Sequence, residues 1–117
     1  MLGASQVHGM DPDPPAAGQA RKMAQLNGVA DACHFWQGVL ESAVGEWDIV
    51  IANLQSGLLQ RYSKELRHRM APQARLFTGG FMDRNASATM DSLESAGLHL
   101  QRLHEHGRWR AAEFTCV

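Results

Sequence analysis

Long apolar runs are the first thing this sequence lacks. No stretch approaches the roughly 18 consecutive apolar residues of a membrane span, and residues 1–6 have neither the basic start nor the apolar centre of a secretory leader. A soluble chain in the cytoplasm is therefore expected. Cysteine is scarce: Cys33 and Cys116 are the two present, far apart and without CxxC spacing, which argues against a disulfide framework and a zinc ribbon. With no basic neighbour arranged to activate either thiol, both read as small apolar residues rather than nucleophiles. Neither sign of charge is in excess, with 11 Lys and Arg against 12 Asp and Glu. The charges are interspersed, so nothing in the overall balance asks for nucleic acid or an anionic membrane. No internal repeat or low-complexity tract is present. What the chain does have is 117 residues, 44% of them apolar, enough for one domain, 1–117, with a modest core.

The strongest local signal is Trp47-Asp48-Ile49-Val50-Ile51-Ala52-Asn53-Leu54, an acid, a run of β-branched apolar residues, and an amide where the run stops. Such a run predicts a parallel strand covered by helices on both faces, and ligands collect at the carboxyl ends of strands in open α/β sheets. Upstream, residues 6–11 read as a strand ended by Asp11-Pro12-Asp13-Pro14-Pro15, where Asp13 is a candidate cap and a proline opens the helix that follows. That helix stops at Asn27-Gly28. Residues 32–36 are a weaker strand, and 37–46 a loop or short turn. Ser56 is a candidate cap for a helix carrying Leu58, Leu59, Tyr62, Leu66 and Met70 on one stripe, stopped by Pro72. Residues 75–81 read as a strand opening into a glycine loop, in which Gly79 and Gly80 suit positive φ, with a lining role beside a substrate as the lesser alternative. A helix over 83–96 places Ala86, Met90 and Leu93 inward, and an antiparallel hairpin closes the chain, residues 98–103 and 109–117 on either side of Gly107. Strand and helix alternate, which predicts an α/β parallel sheet with an antiparallel ending.

Taken in this order, the residues resemble the catalytic domain of class I S-adenosylmethionine-dependent methyltransferases, and among them the family that methylates ribosomal protein eleven of the large subunit. Leu2-Gly3-Ala4 through Gly9-Met10-Asp11-Pro12-Asp13-Pro14 is similar to that family's LGA…GxDxDP segment, Asn27-Gly28-Val29 to its NGV, and residues 48–54 to its DxVxANI. Thr78-Gly79-Gly80-Phe81 resembles its SGxL loop, and Gly107-Arg108-Trp109 the EW pair opening its last strand. The resemblance implies a Rossmann-like sheet with helices on both faces and a C-terminal antiparallel hairpin, as the C-terminal part of one catalytic domain. The family's first strand and its GxGxG loop are expected to lie before Leu2, which leaves the Asp11 and Asn53 strands with unpaired edges suited to self-association.

The resemblance further implies S-adenosyl-L-methionine as cofactor and methyl transfer to an amine, a lysine, of a ribosomal protein partner. It makes Asp11 the acceptor of the cofactor's ribose hydroxyls, and Asn53 both a cofactor-binding and a catalytic residue. The chemistry is consistent: one carboxylate accepts from two hydroxyls, and a neutral amide offers donor and acceptor without a competing charge. Taken alone, Asp11 before Pro is a turn former and Asn53 a strand-end residue. Gly38-Val39 stands where many class I enzymes carry an acid that contacts adenine. Two other function classes stay open: a class I methyltransferase acting on another protein or a small molecule, and an inactive oligomerisation or folding module. His104-Glu105-His106 lacks a third ligand for a metal site. The basic residues Arg61, Lys64, Arg67, His68 and Arg69 are interrupted by Glu65 and read as a solvated face.

Overall fold

The computed structural model describes residues 2–116, which divide into two compact units with the boundary between Ala43 and Val44. Position 117, the last of the expected hairpin, lies outside the described residues.

In the first unit, strand β1 (Val7–Asp11) pairs in parallel with strand β2 (Cys33–Gln37), Asp11 aligning with Gln37. Helix α1 (Pro14–Leu26) connects them, as a right-handed parallel crossover requires. Asp13 stands at the N-cap position but makes no side-chain cap. Its own backbone N–H instead donates to Asp11 Oδ1 at 2.8 Å, because the carboxylate two residues earlier closes the turn first. Pro14 and Pro15 need no such partner, having no N–H to satisfy. The helix ends at Asn27, and Gly28 follows with φ +68°, a backbone shape that suits glycine. Arg21 fastens α1 to the sheet, its Nε and Nη2 donating to the Phe35 carbonyl at 3.0 and 2.8 Å. After β2 a single 3-10 turn, Leu40–Ser42, occupies the stretch expected to be loop or a short turn of helix.

The second unit is a four-stranded sheet in the order β3-β4-β6-β5. Strand β3 (Trp47–Asn53) lies parallel to β4 (Met70–Met82), while β5 (His99–His106) and β6 (Trp109–Thr115) form the expected antiparallel hairpin and β6 returns antiparallel against β4. Between β3 and β4 the single expected helix is two: α2 (Ser56–Arg61) and α3 (Ser63–His68), separated at Tyr62. Tyr62 has φ −97° and ψ 10°, outside the helical well; its N–H closes α2 on the Leu58 carbonyl at 2.9 Å and its carbonyl accepts the Leu66 N–H of α3 at 2.8 Å, so one helix ends and the next begins on this residue. Ser56 is the first helical residue and not the cap; Gln55 holds that position. Pro72 does not stop the helix, which has ended by His68; it lies inside β4, whose register with β3 is irregular between Trp47 and Ile49. Met70, expected on the helix stripe, opens β4 instead and is buried there. Helix α4 (Asp83–Ser95) buries Leu93 as expected and Thr89, whose hydroxyl donates to the Asn85 carbonyl at 2.8 Å.

Strand periodicity decides which side chains enter the core. Leu59, Leu66 and Leu93 of the helices meet Ala52, Leu76, Thr78, Ala112 and Phe114 on one face of the sheet, all buried. Within this unit α2, α3 and α4 all serve that one face. Ile49 and Ile51 point the other way and are 59% and 76% exposed. On this second face Arg75 lies 4.9 Å above the Phe77 ring, and its Nε donates to Glu113 Oε1 at 2.7 Å, which keeps the buried Glu113 paired.

Candidate active site

Each unit brings one expected site residue to the last position of a parallel strand. In the first unit Asp11 ends β1, exposed to solvent. Its Oδ1 is engaged by the turn, which leaves Oδ2 and a second lone pair on Oδ1 to accept from a ligand. Its backbone carbonyl accepts the Gly38 N–H at 3.1 Å, tying the ends of β1 and β2 together. Gln37 stands beside it in register, and its Nε2 donates to the Pro12 carbonyl at 3.3 Å. Neither contact is visible in a linear reading, because register between distant segments creates both. Glycine at position 38 is forced by crowding: a β-carbon there would lie 2.7 Å from Ser42 Oγ and 3.0 Å from the Trp36 indole. The indole in turn donates to Ser42 Oγ at 2.8 Å, so the segment after β2 is held close to its strand.

In the second unit Asn53 ends β3, aligned with Gly79 of β4. The amide lies against the glycine pair. Its Oδ1 is 3.3 Å from where a β-carbon of Gly79 would stand and 2.9 Å from where one of Gly80 would stand; the Leu54 carbonyl is 3.0 Å from the latter point. Two acceptor oxygens, one from a side chain and one from the backbone, thus flank the same glycine. The chain then enters α2, so the strand end is followed at once by a helix start, the usual setting of a ligand site in an α/β sheet. The sequence reading treated Gly79 and Gly80 as a loop. They belong to β4, and their closeness to Asn53 follows from pairing across strands.

Each strand end offers its own chemistry to a ligand. Asp11 supplies an exposed carboxylate for vicinal hydroxyls, and Asn53 a neutral amide. Among the described residues no group of three or more His, Cys, Asp or Glu is placed to hold a metal ion.

Comparison with known proteins places these features in a family. The family model described as ribosomal protein L11 methyltransferase (PrmA) matches residues 1–116. Curated relatives named ribosomal protein L11 methyltransferase include one from Pelotomaculum thermopropionicum, 35% identical over 94% of this chain, and one from Syntrophotalea carbinolica, 31% identical over 93%. The chain spans 36% of the length of each. Among solved structures, a ribosomal protein L11 methylase from Lactobacillus delbrueckii subsp. bulgaricus superposes with a TM-score of 0.89 at 19% identity, covering 97% of this chain and 58% of that one. An RNA methyltransferase from Salinibacter ruber, solved in complex with S-adenosyl-L-homocysteine, gives 0.71 at 23% identity over 95% of this chain and 65% of its own. These two likenesses establish a shared α/β fold. The match of the family model along nearly the whole chain, with Asp11 and Asn53 each closing a parallel strand, shows that this chain belongs to the ribosomal protein L11 methyltransferase (PrmA) family.

Proposed function

We propose that the chain forms the C-terminal part of a single catalytic domain that transfers methyl groups from S-adenosyl-L-methionine to an amine, a lysine, of ribosomal protein L11. The observation that carries this reading is the seating of Asn53 at the end of β3, with its Oδ1 and the Leu54 carbonyl flanking Gly80. The cofactor, when bound, supplies a methyl group already activated by its sulfonium. The chain's residues have to bind and aim. Asp11 accepts from the ribose hydroxyls through the lone pairs its turn leaves free. Asn53, neutral, adds no cation-repelling or competing charge beside the sulfonium. An oxygen of Asn53 or Leu54 accepts an N–H of the acceptor amine, which turns the amine's lone pair away from that oxygen and toward the methyl. Attack requires the uncharged amine, held about 3 Å from the methyl carbon, and its proton leaves to water.

Calorimetric titration of the 117-residue chain with S-adenosyl-L-methionine tests the binding part; micromolar affinity supports a working site, and no binding favours an inactive folding module. Transfer is tested in a chimera in which this chain replaces the matching segment of a complete relative, with ribosomal protein L11 as acceptor. There Asn53→Ala is expected to lower kcat about a hundredfold while cofactor affinity changes by less than about threefold. Unchanged turnover would remove Asn53 from the chemistry. A different acceptor, protein or small molecule, is identified by the same chimera if it methylates that acceptor and leaves L11 untouched.

A second reading concerns association. Strand β3 is an edge of its sheet and carries the exposed Ile49 and Ile51, a combination that invites pairing with another chain. It supports self-association of the isolated chain through this edge.

A further inference from the structure

Strand β4 pairs regularly with β6 as far as Thr78 opposite Ala112 and resumes at Phe81 opposite Arg110. Gly79 and Gly80 therefore share the single place opposite Ala111, which is a β-bulge. Bulges beside functional sites commonly re-aim a side chain of their own strand, but neither glycine has one. The side chain that meets this bulge belongs to the neighbouring strand. Asn53 Oδ1 lies 2.9 Å from the point a Gly80 β-carbon would take and 3.3 Å from the corresponding point at Gly79. Gly80 also has φ +80°, a conformation that residues with a side chain rarely adopt. Crowding and backbone strain thus both exclude a side chain at position 80. At position 79, where no positive φ occurs, crowding acts alone.

From this we infer that the Gly79-Gly80 bulge is a positioning element for Asn53. The absent side chains create the space into which the amide settles, and the β4 backbone supports it from one side, so that Oδ1 and the Leu54 carbonyl are presented together. The inference rests on the catalytic reading of Asn53 given above, and it adds residues that make no contact with the reacting groups themselves. A β-carbon at either position displaces the amide while leaving Asp11 in the other unit unchanged, so turnover falls and cofactor binding persists.

The test combines a stability cycle on the full 117-residue chain with kinetics in the chimera. Gly80→Ala, Gly79→Ala and Asn53→Ala are made singly and in glycine–asparagine pairs, and folding equilibria are read from urea denaturation. The cost of each glycine substitution is expected to shrink about fivefold in equilibrium constant once residue 53 is Ala, since the clash partner is gone. Gly79→Ala, free of backbone strain, keeps the cycle readable if Gly80→Ala fails to fold. In the chimera each glycine variant is expected to lower kcat about tenfold or more with KM for S-adenosyl-L-methionine within about twofold. Strictly additive stabilities overturn the inference, because the glycines then do not meet Asn53. Coupled stabilities with unaltered kcat in both glycine variants also overturn it, provided Asn53→Ala remains damaging. If Asn53→Ala leaves turnover intact while the stabilities couple, the catalytic reading of Asn53 has failed and the positioning role falls with it.

Discussion

The Asp11 carboxylate serves the chain and a ligand at once. One oxygen accepts the Asp13 N–H at 2.8 Å and closes the turn into α1, while the other stays open to solvent. Asp11→Asn keeps an oxygen for the turn but loses the charge and part of the acceptor set; Asp11→Ala loses everything. In urea denaturation the Asn variant is expected within about 0.5 kcal/mol of the parent and the Ala variant about 1 kcal/mol below it. Both are expected to weaken S-adenosyl-L-methionine binding at least about tenfold by calorimetry. An Asn variant as unstable as the Ala variant would show that this oxygen does not hold the turn. Asp11 and Asn53 were legible in the sequence because each ends an apolar run, and strand ends are where α/β sheets bind ligands. The seating of Gln37 next to Asp11, and of the Gly79-Gly80 bulge against Asn53, was not legible. Their positions beside Asp11 and Asn53 arise from register across strands, which no local pattern encodes.

Helical periodicity on residues 58–66 placed Leu59 and Leu66 correctly inward but not Leu58, which is 39% exposed, and it could not show the break at Tyr62. A stripe drawn through two short helices looks the same as one drawn through a continuous helix when both pack on one sheet. The apolar run of β3 likewise located the strand but not what covers its second face, because β-branched residues suit a pleated strand whether or not that face is covered. This yields a paired expectation for the second unit. Leu59→Ala, at a fully buried position, is expected to cost about 2–4 kcal/mol. Ile51→Ser, on the open face, is expected to change stability by less than about 0.5 kcal/mol while weakening self-association in sedimentation equilibrium. A large loss of stability in the Ile51 variant would mean that its face is packed in solution, and unchanged association would take the β3 edge out of any dimer.

Across the whole molecule the two units differ in what holds them. The buried apolar residues of the first are Ala17, Ala24 and Ala43, small side chains with little area to remove from water. The second buries Phe81, Phe114, Leu59, Leu66, Leu76 and Leu93. Hydrogen exchange is expected to follow that division, with the amides of β1 and β2 exchanging at least about tenfold faster than those of β4 and β6. Equal protection in both would show a single cooperative unit. The alternation of strand and helix in the sequence foretold the class of fold; it could not foretell this division, because core quality depends on which apolar residues meet. The bulge in β4 has one more consequence, which concerns chain length. Leu76 and Thr78 point into the core, and so does Phe81, three positions after Thr78 where regular alternation would need an even step. A chain one glycine shorter at this point would still bring the phenylalanine inward and keep it opposite Arg110. The sheet therefore has no need of the extra residue, which accords with the positioning role proposed for the bulge.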